Sequence, residues 1–187
     1  MKTFLQSLRL FALLTLLTGA LYPLAIWATG HAFFRNAAEG SLLTHNNRII
    51  GSALLAQKNP DPRYFQPRPS AGDYATVPSG ASNQPWTSAK LAASVITAST
   101  DYRTFNQLAP TAPLPSDAIT SSGSGLDPHI SLANARLQLS RVARARNLTT
   151  QQLTTLDTLL ARHTEGGHLT PARVNVLRLN LALDKTL

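Results

Sequence analysis

The sequence predicts an α+β protein: a single N-terminal transmembrane helix, then one compact mixed α/β extracytoplasmic domain with a helical C-terminal half. Three observations predict it. No charged residue stands between Leu10 and Thr29, a run rich in Leu, Ala and Phe and close to the ~20 residues that cross the hydrocarbon core of a bilayer. Between Asn59 and Trp86 six prolines forbid a long helix and discourage central strands. Beyond Thr87, apolar residues recur mostly at the spacing of amphipathic helices.

The apolar run has the flanks of a membrane anchor. Lys2 and Arg9 precede it, and Tyr22 and Trp27 stand where an interfacial aromatic belt falls. Pro23 is expected to kink its outer end. A cleaved signal peptide is the alternative, with Thr18-Gly19-Ala20 offering small residues near a cleavage point. Against it, the run continues past Ala20 through Leu21, Leu24, Ala25 and Ile26. Lys2, Arg9 and the α-amino group favour a cytoplasmic N-terminus. The expected organisation is a cytoplasmic tail at 1–9, a transmembrane helix at 10–29 and a periplasmic domain at 30–187.

Outside the membrane, His45-Asn46-Asn47-Arg48 separates two short apolar runs and predicts a β-hairpin, since Asn-Asn tolerates positive φ. The proline-rich stretch that follows holds Arg63, Tyr64, Phe65, Arg68 and Tyr74. These anchors argue for an ordered loop rather than a disordered linker. Thr87 or Ser88 caps a helix to about Gln107, with Leu91, Val95, Ala98, Tyr102 and Phe105 on one face. Ile119-Thr120 suggests a short strand. Leu132, Ala135, Leu139, Val142 and Ala143 form the stripe of a second helix, decorated by Arg136, Arg141, Arg144 and Arg146 and ended by Asn147. Thr149 and Gln152 resemble a capping box opening a third. Gly166-Gly167 makes a turn, and Thr170-Pro171 reads as N-cap and first helical residue, with Val174, Leu177 and Leu181 continuing a stripe. The run VNVLRLNL also alternates, so helix and strand both remain open over 172–182.

Composition narrows the functional classes. The formal charge is +8, mostly from arginines, whose forked donors suit fixed bonds to carboxylates and carbonyls. A basic surface suits anionic lipid or an acidic protein face. Nucleic acid is a poor partner for an exported domain, and no nucleic-acid-binding motif is present. The absence of cysteine permits an oxidising compartment without requiring one. One span builds no pore alone, and a cationic domain repels cations.

The stretch Ser122-Gly123-Ser124-Gly125-Leu126-Asp127-Pro128-His129-Ile130-Ser131 is the strongest local signal. Gly123 and Gly125 are both able to take positive φ; Asp127 can cap a helical turn with Pro128 first in it, and Ser131 can cap the following helix. A serine hydrolase is motivated only by Ser124, Asp127 and His129, and the nucleophile elbow Gly-x-Ser-x-Gly is not matched. A P-loop lacks its Gly-Lys-Ser/Thr, although Ser/Gly amides before a helix can hold an anion. The histidines 31, 45, 129, 163 and 168 show no zinc spacing, so no metal site is expected. Asp184-Lys185-Thr186 matches the phosphorylated triplet of P-type pumps, but only Leu187 follows it here, so the match is read as coincidence. The residues alone indicate a single-span protein with a compact exported domain and no visible catalytic apparatus, as expected of a chain that binds other chains.

Three ordered blocks carry a resemblance over nearly the whole chain: Tyr64-Phe65-Gln66-Pro67-Arg68-Pro69-Ser70-Ala71; the stretch 122–131 with Gln138 and Arg141-Val142-Ala143; and Arg173-Val174-Asn175-Val176-Leu177 with Leu179-Asn180-Leu181-Ala182-Leu183. Together with the anchor, they resemble the C subunit of the bacterial Kdp-type potassium-transporting ATPase. Local departures occur at 79–85, at Leu132 and at Thr170-Pro171-Ala172. The resemblance implies an accessory, non-catalytic subunit of an inner-membrane potassium pump. Its partners would be a potassium-binding channel-like subunit and a P-type ATPase subunit that hydrolyses ATP. It implies a role in assembly and, as has been proposed for that family, a catalytic chaperone that raises ATP affinity in a ternary complex. No intrinsic cofactor is implied. Gln138 is the candidate for an ATP contact; its alternative is a polar residue exposed to solvent or a partner. Ser122, Gly123, Ser124, Gly125, Asp127, His129, Arg68 and Arg141 are the candidate partner-facing residues. The structural alternative is a periplasmic cap over the potassium entrance without nucleotide.

Overall fold

The computed structural model describes residues 1–167 and 169–187; His168 lies outside the described residues. The chain divides into two compact units, Met1–Leu42 and Leu43–Leu187.

The first unit is one long helix and a short one. Helix α1 spans Lys2–Leu16, a π-helical turn follows at Leu17–Leu21, and α2 continues over Tyr22–Phe33. From Lys2 to Phe33 it is long and apolar enough to cross a membrane, and none of its residues is buried. It outruns the expected 10–29 at both ends. The π turn ends two residues before Pro23, which has no N–H for the carbonyl four residues back. Thr18 and Thr29 donate their hydroxyls to Leu14 O and Ala25 O, each at 2.7 Å. That satisfies these groups without water, as an apolar medium demands. Arg35–Ala38 forms the one-turn α3.

At the start of the second unit stands the expected hairpin, β1 (Leu42–His45, whose first residue closes the first unit) and β2 (Arg48–Ser52), turned by Asn46 and Asn47 at φ 49° and 61°. Between β2 and α4 (Ala89–Asn106) no helix or strand forms among residues 53–88, yet Ala53, Ala56 and Phe65 are buried there. Ser88 caps α4 by accepting from Leu91 N–H at 3.3 Å. In place of a strand at Ile119-Thr120 there is a helical turn, α5 (Ser116–Ile119). The Thr120 hydroxyl donates to Ser116 O at 2.7 Å, a local bond that competes with extension.

Three short strands make an antiparallel sheet in the order β3 (His129–Ser131), β5 (Arg173–Asn175), β4 (Thr164–Glu165), with Ile130 and Thr164 flanking Val174. Asp127-Pro128 therefore leads into a strand, not a helical turn. Asp127 Oδ1 accepts from His129 N–H at 3.0 Å, closing a tight turn instead. Helix α6 (Leu132–Ala145) is capped by Ser131 and followed by Asn147 at φ 53°; α7 (Thr150–Arg162) has the full Thr149/Gln152 capping box. Thr170-Pro171 does not start the last helix. The alternating segment is used twice, first as β5, then as α8 (Val176–Thr186) capped by Asn175, whose Oδ1 accepts from Arg178 N–H at 3.1 Å. The buried face of α8 is Val176, Leu179 and Leu183 rather than Leu177 and Leu181, because the helix begins later than expected. These pack with Phe65, Ile130, Val142, Leu156, Leu160 and Val174 in one core.

Two half-buried phenols give this unit an alkaline limit. Tyr74 donates to Arg68 O at 2.8 Å, and burial raises its pKa to about 12. Tyr102 donates to Asn134 Oδ1 at 2.7 Å, and burial raises it as well. Each binds its proton more tightly folded than unfolded. Their contribution is complete below the ordinary tyrosine value of ~10 and is lost as pH rises through the folded values. We expect the unfolding midpoint to fall between about pH 10 and 12, and to fall less steeply in Tyr74→Phe and Tyr102→Phe. Tyrosinate absorbance rising fully without any loss of circular dichroism would contradict this.

Candidate functional site

One edge of α6 carries Asn134, Gln138 and Arg141, at positions i, i+4 and i+7 and therefore on one face. All three are buried. Loop residues 62–66 run beside them. Gln138 is 0% exposed, and its amide is saturated. Its Oε1 accepts from Gln66 N–H at 2.7 Å and Arg141 Nη2 at 2.8 Å, while Nε2 donates to Gln66 O at 3.1 Å and Asn134 Oδ1 at 2.9 Å. Those four bonds are the full capacity of a primary amide. Asn180 on α8 does the same for the preceding residue, taking Phe65 N–H at 2.8 Å and giving to Phe65 O at 2.9 Å. Two side-chain amides thus pair with this loop as neighbouring strands would, which a proline-interrupted segment cannot readily provide for itself.

Arg141 completes the clamp. Nη1 donates to Pro62 O and Tyr64 O, Nε donates to Asn106 Oδ1 at 2.9 Å, and the guanidinium lies 4.7 Å over the Phe105 ring. Burial lowers its pKa to about 10, so it stays charged at neutral pH. The oxygens it touches are all neutral dipoles, so it is a buried cation solvated by the protein. Beyond it, Asn134 Oδ1 accepts from Tyr102, and Asp117 accepts from Ser131 N–H, Ser131 Oγ and Asn134 Nδ2 at 2.7, 2.8 and 3.0 Å.

The 122–131 stretch is a second, separate piece of backbone engineering. Only Gly125 takes positive φ, at +72°; Gly123 does not. A Cβ on Gly125 would meet Gly80 O at 2.9 Å and Ser70 Oγ at 3.3 Å, so the stretch seats the loop around residues 70–80. Ser122 is buried and its Oγ accepts from Asp127 N–H, while Ser124 Oγ accepts from Leu126 N–H at 3.1 Å. Asp127 accepts from Arg68 Nη1 at 3.2 Å and lies 3.4 Å from His129 Nδ1. Leu126 O and Pro128 O receive Ala56 N–H and Val176 N–H, each at 2.9 Å.

Several expectations change accordingly. Gln138 is neither solvent- nor partner-exposed, and Arg141 and Ser122, expected to face partners, turn into their own domain. Arg68, Asp127 and His129 are half-buried and held together. Ser124 hydrogen-bonds within its own turn, so the hydrolase reading finds no Ser-His contact. Among the described residues, no three His, Cys, Asp or Glu side chains converge as a metal site would require. Asn106, Asn134 and Asn180 were missed. The available signal was a polar ladder at helical spacing beside an apolar stripe, which usually marks a solvated face.

The model of the family described as "KdpC: K+-transporting ATPase, c chain" matches residues 4–185. The chain belongs to the KdpC family. It is 44% identical over 189 residues to the potassium-transporting ATPase KdpC subunit of Mycobacterium tuberculosis (strain H37Rv designation), covering 98% of each chain. It is 45% identical to that of Rhodospirillum rubrum, covering 99% of this chain and 96% of the relative, and 43% identical to that of Methylococcus capsulatus, covering 97% and 96%. As a KdpC-family member, it is an accessory subunit of a potassium-transporting ATPase, with one candidate membrane-spanning helix near its N-terminus. All three blocks that carried the resemblance supply the clamp: the first its loop, the second Gln138 and Arg141, the third Asn180.

Proposed function

We propose that this chain assembles and stabilises a high-affinity, ATP-driven potassium uptake pump, as a non-catalytic cap held by a single membrane anchor. In this reading the N-terminus is cytoplasmic and residues 30–187 form a periplasmic domain over the potassium entrance. Its neighbours are a potassium-binding channel-like subunit and a P-type ATPase subunit that carries the hydrolytic site. The observation that carries the reading is the use of Gln138 and Arg141. The side chains that looked most available for chemistry are consumed in making a proline-rich loop rigid. A rigid, internally satisfied module suits an assembly role.

The same observation favours the cap over a chaperone that touches ATP through Gln138. Nucleotide there would have to displace Gln66, Asn134 and Arg141 at once, and each buried group left unpaired costs about 1–3 kcal/mol. The test has two parts. Tagged chain should co-purify from native membranes with a P-type ATPase chain; its failure to do so ends the proposal. In assembled complexes carrying Gln138→Leu, less of this chain should be retained, while the KM for ATP per assembled complex stays unchanged. A raised KM at unchanged subunit content would favour the chaperone instead.

A further inference from the structure

The charges of the domain are unevenly spread. From Ala75 to Thr100 the only charged side chain is Lys90. The same run contains the domain's most conspicuous exposed apolar cluster in sequence: Val77 at 88%, Trp86 at 98% and Ile96 at 67% exposure. Helix α4 turns Leu91, Val95, Ala98 and Tyr102 partly inward and leaves Ala92, Ala93 and Ile96 outward. Lys90, Ser94, Thr97 and Asp101 are outward too, so the outer face joins a small, apolar flank to a polar one that carries one charge of each sign.

This surface is held in place. Trp86 sits within a turn closed by Ser88 N–H to Pro85 O at 2.9 Å, and Ser88 Oγ donates to Gln84 Oε1 at 3.0 Å while capping α4. The loop bearing Val77 is braced where Gly80 passes over Gly125. An exposed tryptophan on an ordered turn loses little conformational freedom on docking. Charge depletion with an aromatic at the centre is the composition of an interface core.

We infer that Trp86 and the Ala92, Ala93 and Ile96 flank of α4 dock onto an uncharged, apolar-cored extramembrane surface of another protein subunit of the same pump. The inference rests on the reading of the chain as an assembly subunit. Charge complementarity selects this partner. An anionic lipid surface recruits clusters of Lys and Arg, and this face offers only Lys90, offset by Asp101. An acidic protein face would likewise be met by the arginines elsewhere, not here.

The experiment is co-purification from native membranes, with the tag on the ATPase chain, comparing wild type, Trp86→Glu, Ile96→Glu and Leu169→Glu. Leu169 is 100% exposed and outside the face, so its variant controls for added charge. We expect retention of this chain after a detergent wash to fall roughly tenfold or more for Trp86→Glu, to fall in Ile96→Glu, and to hold in Leu169→Glu. Retention of Trp86→Glu at the wild-type level, or equal loss in Leu169→Glu, would overturn the inference. Lipid is tested separately in complexes reconstituted with brominated lipids, using Trp27→Phe so that Trp86 is this chain's only tryptophan and comparing it with Trp27→Phe/Trp86→Phe. Quenching lost with Trp86 would assign the face to the bilayer and also overturn it. If wild type itself fails to co-purify, the assembly reading fails; if wild type is retained and the variants behave alike, only the docking surface fails.

Discussion

Arg141→Ala lowers the unfolding temperature of the purified chain by about 10 °C. The variant strips donors from Pro62 O, Tyr64 O, Asn106 Oδ1 and Gln138 Oε1 together. A buried acceptor without a partner costs about 1–3 kcal/mol, and partial entry of water recovers part of that. A net loss of about 3 kcal/mol, at roughly 2–4 °C per kcal/mol for a chain of this size, gives the shift. Arg141→Lys recovers only a fraction. An ammonium keeps the charge but lacks the planar fork that reaches Asn106 on one side and the two loop carbonyls on another. Thermal melts by circular dichroism, with proteolysis of the 62–66 loop as a local readout, check both. A lysine variant as stable as wild type would show that charge, not the fork, is what the loop requires.

Gly125→Ala destabilises the domain by about 2 kcal/mol or more, whereas Gly123→Ala is close to neutral. The two glycines are two residues apart and look equivalent in sequence. Gly125 stands at φ +72°, where a Cβ costs roughly 1–2 kcal/mol, and that Cβ would also press on the backbone oxygen of Gly80 at 2.9 Å. Gly123 is in ordinary backbone territory and an added Cβ there meets nothing within 4 Å. Urea midpoints of the two variants, measured side by side, separate the effects; equal midpoints would remove the argument. Because Gly125 braces the loop that carries Val77, its variant should also weaken retention in the complex, as Trp86→Glu does.

The elements legible in sequence were those whose signals are local. The Asn46-Asn47 turn, the Ser88 and Ser131 caps and the Thr149/Gln152 box each depend on a few neighbouring residues and the backbone angles those residues tolerate. The last helix was misplaced by several residues because Arg173–Asn175 has two local solutions. Pairing with His129–Ser131 and Thr164–Glu165, residues distant in the chain, selects the strand. The burial of Gln138 and Arg141 was hidden for the same reason. Gln138 and Arg141 are polar residues on an amphipathic helix, and the local rule sends such residues to solvent. They are buried because a loop more than 70 residues earlier brings unpaired carbonyls and amides to that face.

Sequence by itself determined the long apolar N-terminal helix, the helix caps, the turn asparagines and the membership in a family, because each is set by residue chemistry along a short stretch or by its summed pattern. Only the tertiary structure decided which polar side chains are internal struts and which apolar ones lie open. That choice depends on what distant backbone leaves unsatisfied: Gln138 is enclosed by Gln66 and Arg141, while Trp86 has nothing of its own chain to cover it.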